Sequence, residues 1–232
     1  MDFTVIDKIR LFIIECVDPL DLLQERSEAK ALDKICKAIG HEVAILTAFS
    51  EQDLVKFLDY ISSIDSNYAA IRQARVPLCI HISAHGNANG ISFGRDFVNW
   101  RRLFLALSPI LKDMSQYNGE VLISISACGA GQQQLVDEIE EEISKYHLDS
   151  KGSDKQVEPP EYIFVTEGSQ GKDVVYWDDA TVSWTVFYHQ ISKLKAINDE
   201  GIHLILDDIE HATKTVLRSF KWDIKTQRYV MY

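Results

Sequence analysis

Two hydrophobic segments of the sequence each lead into a side chain that can do chemistry. Residues 76–84 are followed by His85 and Gly86, and residues 121–127 are followed by Cys128. Each segment has the length and composition of a buried β-strand, and each strand is predicted to end at its reactive residue. A thiol and an imidazole together can perform nucleophilic catalysis, in which the sulfur attacks a carbonyl carbon and the ring transfers protons. Function therefore depends on whether these two side chains meet.

The elements around these residues alternate between strand-like and helix-like segments. This order predicts an α/β fold whose central sheet is mainly parallel, with helices on both faces. No internal repeat and no convincing linker divides the 232 residues, so residues 1–232 are predicted to form a single domain. Strands are predicted at residues 11–17, 42–47, up to 85, up to 128, and 162–166, with a small hairpin near 91–93 and a closing strand at the end. Helices are predicted at residues 20–39, from 50, 100–114 with a kink or division at Pro109, 132–146, 181–197 and 203–217.

His85 and Cys128 are predicted to lie at the same edge of this sheet. Functional residues of a parallel sheet gather where its strands end. The two residues are 43 positions apart, which leaves room for one helix-containing crossover between neighbouring strands. A helix that begins soon after Cys128 favours its thiolate. The backbone N–H groups of Gly86 and Cys128 are predicted to form an oxyanion hole, and His85 to give a proton to the leaving amine.

The remaining thiols and the second histidine of the first motif have simpler interpretations. Cys16, Cys36 and Cys79 have neither metal-site nor disulfide-scaffold spacing, so they are expected to be free thiols that pack as small apolar residues. His81 shares a strand face with His85 and is expected to be a hydrogen-bonded interior residue. The two histidines are too far apart on an extended strand to share a zinc ion. No metal and no cofactor are predicted.

Composition narrows the class of protein. The chain is 46% hydrophobic and 25% charged, which is ordinary for a soluble globular protein. Its formal net charge is −11, and it has no cluster of Lys and Arg that would bind phosphates, so nucleic acid is not an expected partner. No apolar run approaches the roughly 18–20 residues that span a bilayer. The first residues lack the features of a signal peptide, so the sequence predicts a cytoplasmic protein that does not bind membranes.

Both motifs resemble those of a known enzyme family. Residues 80–86, ending in Ala-His-Gly, are similar to the hydrophobic block followed by His-Gly in caspase-like cysteine peptidases. Residues 124–129, centred on Ala-Cys-Gly, are similar to their hydrophobic block followed by Cys. The resemblance covers the core from the first strand to the helix near Phe187, and it is nearest to bacterial and CHAT-type members of the clan of caspases and metacaspases. It implies a caspase-like three-layer sandwich and a cysteine endopeptidase with His85 and Cys128 as its dyad.

The resemblance also implies partners and regulation. The substrate would be a protein or peptide. Bacterial members are often regulated effectors of anti-phage defence or cell death, controlled by an activating partner protein, a small ligand or homodimerisation. In caspases, the connection that corresponds to the predicted flexible loop at 148–160 is often cut during activation. Lys151 and Lys155 are candidate self-cleavage sites if basic residues are preferred, and Asp149 and Asp154 if acidic residues are preferred.

The resemblance does not extend to substrate choice. Ser126 stands where animal caspases have Gln and metacaspases have a substrate-binding Asp, and Ala130 replaces the last Gly of the caspase signature. The segment after the fifth strand is acidic, and one hypothesis is that Asp173, Asp178 or Asp179 lines a pocket for a basic residue before the scissile bond. The alternative is that Asp178 and Asp179 cap the following helix.

Two other functions are consistent with parts of the sequence. Gly129 and Gly131 follow a strand and open a helix, as in a dinucleotide-binding module, although the third glycine position holds Gln134. A caspase-like pseudoenzyme, with the fold retained and the cleft closed, is the other alternative. Reaction with a thiol-directed peptide probe would distinguish the enzyme from both.

Overall fold

A seven-stranded β-sheet forms the centre of the chain. The computed structural model describes residues 8–67, 76–113, 120–130, 133–149, 159–167, 174–213 and 215–231. The strands are β1 (Arg10–Glu15), β2 (Glu42–Thr47), β3 (Leu78–Ser83), β4 (Gly86–Asn87), β5 (Gly90–Phe93), β6 (Asp96–Asn99), β7 (Val121–Ser126), β8 (Tyr162–Glu167), β9 (Val216–Asp223) and β10 (Arg228–Met231). The sheet order is β2-β1-β3-β7-β8-β9-β10; its first five strands are parallel, and β9 and β10 are antiparallel to their neighbours. Strands β4, β5 and β6 form a separate small sheet.

Helices cover both faces of the sheet. They are α1 (Pro19–Leu23), α2 (Glu28–Ala38), α3 (Glu51–Asn67), α4 (Trp100–Asp113), α5 (Gln133–Asp149), α6 (Trp177–Ile191) and α7 (Asp199–Ala212). One apolar core lies between the sheet and helices α3, α4 and α5 and includes Trp100, and the other lies beneath α2, α6 and α7 and includes Trp184. The predicted α/β sandwich with a mainly parallel sheet is confirmed. Within the described part of the chain, no helix has the length and apolarity needed to cross a bilayer.

The two motif strands are parallel neighbours, as predicted. Ser83 of β3 lies opposite Ser126 of β7. Successive residues of a strand point to opposite faces, so each strand contributes to both cores: Ile80 of β3 packs in the α3–α5 core, whereas Cys79 packs in the α2–α6–α7 core. Both strands end two residues before their reactive residue, so His85 and Cys128 lie in the connections that follow.

Several element boundaries differ from the sequence predictions. Pro109 lies inside α4 without dividing it. Helices α6 and α7 begin earlier than predicted, at Trp177 and Asp199, and the closing strand is a hairpin of β9 and β10. Helix α5 continues to Asp149, so the first two residues of the loop predicted at 148–160 are helical. The candidate cleavage residues Lys151, Asp154 and Lys155 lie outside the described residues.

The prediction of one helix over residues 20–39 is wrong. Asp18 caps α1 by accepting a 2.7 Å hydrogen bond from the Leu20 N–H, and Glu25 then adopts a positive φ of 57°. The Ser27 hydroxyl accepts a 3.1 Å hydrogen bond from the Lys30 N–H and so caps the start of α2. The two caps divide the segment, and the break turns the chain so that α1 and the start of α2 border the carboxyl edge of the sheet.

Candidate active site

A cleft of about 110 Å³ lies at the carboxyl edge of the central strands. Its walls come from the ends of β1, β3, β7 and β8, from α1, from the start of α2 and from the start of α6. Both His85 and Cys128 line this cleft. The parallel pairing of β3 with β7 explains their proximity, because the residues that follow two adjacent parallel strands emerge on the same edge of the sheet.

The connections that carry the two residues rest directly on each other. A Cβ placed on Gly86 would lie 2.9 Å from the carbonyl oxygen of Cys128. Gly129 has a φ of +75°, and a Cβ there would lie 2.4 Å from the carbonyl carbon of Asn87. Both separations are shorter than a real Cβ contact permits, so glycine is required at each position. The predicted oxyanion-hole pair, Gly86 and Cys128, therefore lies side by side.

Thr166 holds the backbone immediately before Cys128. Its hydroxyl accepts a 3.0 Å hydrogen bond from the Ala127 N–H and donates a 3.1 Å hydrogen bond to the Ala127 carbonyl oxygen. The side chain is fully buried at the end of β8 and also lines the cleft. Nothing in the sequence around Thr166 distinguishes it, because its contact with Ala127 depends on the pairing of β7 with β8.

Replacement of Thr166 by valine should lower the free energy of unfolding by about 1–3 kcal/mol, because the buried Ala127 N–H loses its partner without a change in side-chain shape. The Ala127 carbonyl loses one bond but still accepts a 3.3 Å hydrogen bond from the Ala130 N–H. Denaturant unfolding of the variant measures this loss. Thr185→Val is the matched control, since the Thr185 hydroxyl donates to the Thr181 carbonyl of its own helix; a change within about 0.5 kcal/mol is expected there. Equal effects of the two substitutions would contradict the role assigned to Thr166.

His85 makes a contact that the sequence did not predict. Its Nε2 lies 3.0 Å from Oδ2 of Asp21 in α1. The other carboxylate oxygen of Asp21 lies 3.9 Å from Nη1 of Arg26, and both residues line the cleft. The only sequence signal near Asp21 was the turn at Asp18 and Pro19, which was assigned to the end of a strand.

The floor of the cleft contains a buried network of hydrogen bonds. The Glu28 carboxylate accepts one from Nε2 of His81 at 2.7 Å and one from the Ser126 hydroxyl at 3.0 Å. The hydroxyl of Tyr188 lies 2.9 Å from Nδ1 of His81, and the imidazole is fully buried. The prediction that His81 is a hydrogen-bonded interior residue is confirmed. Ser126 lines the cleft, where its small side chain leaves room above Glu28.

Comparison with solved structures identifies the architecture around this cleft. Caspase-1 from Spodoptera frugiperda superimposes with a TM-score of 0.53, covering 97% of this chain and 86% of that chain. The chain has a caspase-like fold. Sequence identity between the two is 10%, so the likeness concerns the fold. No family model matches the sequence, and comparison with curated proteins gives no match.

A second carboxylate, that of Glu15, lies beside Glu28 at the cleft. Glu15 ends β1, lines the cleft, and accepts hydrogen bonds from the Ser27 hydroxyl at 2.7 Å and from the Ala29 N–H at 2.9 Å. Burial nevertheless raises the pKa of Glu15 above its ordinary value of 4.5. The break before α2 thus brings Glu28 to the floor of the cleft, beside the carboxylate that the end of β1 places there.

The raised pKa of Glu15 predicts a pH dependence of stability. The folded chain holds the Glu15 proton more tightly than the unfolded chain does. As the pH rises from 4.5 towards the raised value, the unfolded chain loses this proton first, so the free energy of unfolding falls. Glu15→Gln should remove this part of the fall. Urea unfolding of both proteins at several pH values measures the difference, and parallel curves would contradict the prediction.

The acidic residues proposed for substrate binding lie elsewhere. Asp178 and Asp179 occupy the first turn of α6 and are not among the residues that line the cleft, whereas the adjacent Trp177 is. Neither aspartate caps the helix, because Tyr176 occupies the N-cap position and no side chain bonds there. Their negative charges still suit a helix N-terminus. Asp173 lies outside the described residues.

Of the other three cysteines, two are buried in the core and one shares the cleft with Cys128. Cys36 and Cys79 are buried in the core, and burial raises the pKa of the Cys36 thiol to about 12 and raises that of Cys79 as well. Cys16 is only half-buried, lines the cleft, and accepts a 3.1 Å hydrogen bond from the Gly94 N–H, so its assignment as a plain core residue was incomplete. Desolvation raises the pKa of Cys16 too, so these three thiols stay protonated at neutral pH. In the described ranges, no group of three His, Cys, Asp or Glu side chains could hold a metal ion.

Proposed function

We propose that the chain is a cysteine endopeptidase in which Cys128 is the nucleophile and His85 is the acid–base partner. One observation carries the proposal: within a caspase-like fold, the connections after two adjacent parallel strands bring a thiol and an imidazole into one cleft. The glycine that follows each of these residues, Gly86 or Gly129, packs closely against the other connection.

The proposed reaction proceeds in two halves. The sulfur of Cys128 attacks the carbonyl carbon of the scissile bond, and the N–H groups of Gly86 and Cys128 stabilise the negative oxygen. His85 gives its proton to the amine as the C–N bond breaks, which leaves a thioester. Water then attacks the thioester carbon and passes a proton to His85, the C–S bond breaks, and the carboxylic acid leaves with the thiolate and imidazolium restored.

A peptide probe that reacts with thiols tests the proposed nucleophile. We expect the probe to label Cys128, as mapped by mass spectrometry, and labelling to disappear in both Cys128→Ala and His85→Ala. Circular dichroism shows whether each variant remains folded. Labelling at Cys16 in the same cleft, or labelling of Cys128 that persists in His85→Ala, would contradict the proposal. A folded chain that takes up no probe would favour the pseudoenzyme or the non-catalytic nucleotide-binding module.

The charges that line the cleft support a preference for substrates with a basic residue before the scissile bond. Three carboxylates line the cleft, those of Glu15, Asp21 and Glu28, against one guanidinium, that of Arg26. Arg26 lies near Asp21, whereas Glu15 and Glu28 form the buried floor. A Lys or Arg side chain that enters the cleft would bring a positive charge towards this floor. The proposal of a basic preference is thus retained, with Glu15 and Glu28 as its acidic residues in place of Asp178 and Asp179.

Substitution of Glu28 tests this preference. Glu28→Gln keeps the side-chain shape but removes the charge, so kcat/KM for peptides with Arg before the scissile bond should fall about tenfold, equivalent to about 1.4 kcal/mol. Peptides with Leu at that position should be affected much less. Asp178→Asn is the matched control, since Asp178 lies outside the cleft lining. Equal cleavage of Arg, Leu and Asp peptides by the unaltered chain, or a preference for Asp, would contradict an acidic pocket.

The proposal includes regulation, supported only by the resemblance to bacterial peptidases. A cytoplasmic effector of anti-phage defence or cell death would be held inactive until a partner protein, a small ligand or homodimerisation releases it. Mass spectrometry of the purified chain beside Cys128→Ala would reveal self-cleavage at Asp149, Lys151, Asp154 or Lys155. Full activity of an intact, monomeric chain would argue against cleavage and dimerisation as switches.

A further inference from the structure

We propose that Asp21 is a positioning residue for His85, holding the imidazole in the orientation that serves Cys128. The inference rests on the proposed peptidase function and adds a third residue to its dyad. The observation is the 3.0 Å contact between Nε2 of His85 and Oδ2 of Asp21, at the rim of the cleft that Cys128 also lines.

The contact assigns a role to each ring nitrogen. A carboxylate only accepts hydrogen bonds, so Nε2 of His85 carries the proton that it donates to Asp21. Nδ1 is then the nitrogen that remains for exchange of a proton with Cys128. A carboxylate in this position also stabilises the imidazolium that forms when the thiol has lost its proton. In the Ser-His-Asp triad a carboxylate likewise holds one ring nitrogen while the other exchanges the proton, although there the carboxylate holds Nδ1 rather than Nε2.

The His85 ring needs such a partner because little else holds it. Its side chain is 68% exposed. The His85 carbonyl oxygen is held by a 2.8 Å hydrogen bond from the Ser92 N–H, but that bond does not restrict rotation of the ring. Among the hydrogen bonds of the described residues, Asp21 is the ring's side-chain partner. An exposed imidazole without it would sample several rotamers, and most of these would not serve the thiol.

Asp21 is itself held in place. Its Oδ1 lies towards Nη1 of Arg26 at 3.9 Å, and its backbone carbonyl accepts a 2.8 Å hydrogen bond from the Arg26 N–H. The side chain of Asp21 is 26% exposed, so the contact with His85 is partly shielded from water. Oδ1 of Asp21 therefore faces the Arg26 guanidinium, while Oδ2 contacts the His85 ring.

A purely structural role is the main alternative. Helix α1 has no buried residue, and Leu20 and Leu23 are 67% and 81% exposed. The contact between Asp21 and His85 could therefore serve to attach α1 to the sheet rather than to orient the ring. The two roles differ in what the loss of Asp21 does to the thiol, and they can be separated by measuring thiol reactivity directly.

The test measures alkylation of Cys128 by iodoacetamide, with the modified residue mapped by mass spectrometry, and in parallel kcat and KM for a peptide substrate. The variants are Asp21→Ala, Asp21→Asn, which keeps an acceptor oxygen, and His85→Ala alone and combined with Asp21→Ala. Asp18→Asn is the control, because it removes one negative charge from the same helix and retains a capping side chain. Thermal unfolding verifies that each variant is folded.

We expect Asp21→Ala to lower the alkylation rate and kcat about fivefold, the rate equivalent of an exposed ion pair worth about 1 kcal/mol. KM should change less than kcat, Asp21→Asn should recover part of the loss, and Asp21→Ala should have no further effect once His85 is absent. Asp18→Asn should resemble the unaltered chain.

Each other outcome is informative. Alkylation that depends on His85 but not on Asp21 overturns this inference and leaves the peptidase proposal intact. Alkylation that depends on both, without cleavage of any peptide, overturns the peptidase proposal and retains the positioning role. A change confined to KM or to thermal stability assigns Asp21 to the attachment of α1 and overturns the inference. So does an Asp21→Ala substitution that lowers the alkylation rate as much in the His85→Ala variant as in the unaltered chain.

Discussion

Replacement of His85 by alanine is expected to lower kcat/KM for a cleavable peptide by about 10²–10⁴-fold, the contribution of a well-placed acid–base group. In the proposed mechanism the ring supplies a proton to the leaving amine and accepts one from water, and the residues that line the cleft offer no second imidazole for this step. His81 is fully buried and engaged with Glu28 and Tyr188, so it is not available to replace His85. Initial-rate kinetics on a fluorogenic peptide measure the loss.

Two further variants make this result specific. Cys128→Ala should abolish turnover, because no acyl-enzyme can form without the thiol. His189→Ala should leave the rate unchanged, since His189 is an exposed histidine of α6 that does not line the cleft. Turnover by His85→Ala at the rate of the unaltered chain would show that Cys128 acts without this imidazole.

Replacement of Gly129 by alanine is expected to destabilise the fold by about 2–5 kcal/mol. Two costs combine: a left-handed conformation costs an alanine about 1–2 kcal/mol, and overpacking adds about 1–3 kcal/mol. The second cost arises because the new methyl group would meet the backbone of Asn87 and Ala88, at 2.4 and 2.5 Å, where no flexible side chain can yield. The connection after His85 or the one carrying Cys128 must then move, so activity should fall at temperatures where the variant is still folded.

Gly40 provides a matched control for the steric part of this effect. Its φ of +96° is also left-handed, but a Cβ there would have nothing within 4 Å. Gly40→Ala should therefore cost only the conformational part, about 1–2 kcal/mol, and leave activity unchanged. Denaturant unfolding of the two variants separates the cost of a left-handed backbone from the cost of the steric clash with residues 87 and 88. Equal destabilisation would show that the two connections are not in contact as described.

The strands were the easiest part of the fold to predict. β2 was predicted with its observed bounds, and β3 and β7 were recognised because a buried parallel strand is a continuous apolar run whatever surrounds it. The placement of His85 and Cys128 in one cleft followed from parallel topology, which brings all strand ends to one edge. The helix break at Glu25 was missed, because the apolar spacing continues across residues that the fold leaves exposed.

The partners of the two reactive residues were not predictable in the same way. Thr166 is 39 positions from Ala127 and Asp21 is 64 positions from His85, and nothing in the local sequence of either residue indicates the contact. Glu28 looked like an ordinary residue of a predicted helix, yet it lies beneath Ser126, 98 positions away. Such contacts depend on which strands become neighbours and where a helix begins.

By itself, the sequence determined the α/β class and the parallel core, and it singled out His85 and Cys128 as candidate reactive residues, because apolar runs and their end points are local properties of the chain. The tertiary structure decided the environment of those residues. It placed Asp21 against the imidazole, Thr166 against the backbone before the thiol, and Glu15 with Glu28 on the floor of the cleft. The physical reason is that hydrogen bonds and charges act over a few ångströms of space, and the folding of β1, β7 and β8 into one sheet is what creates those distances.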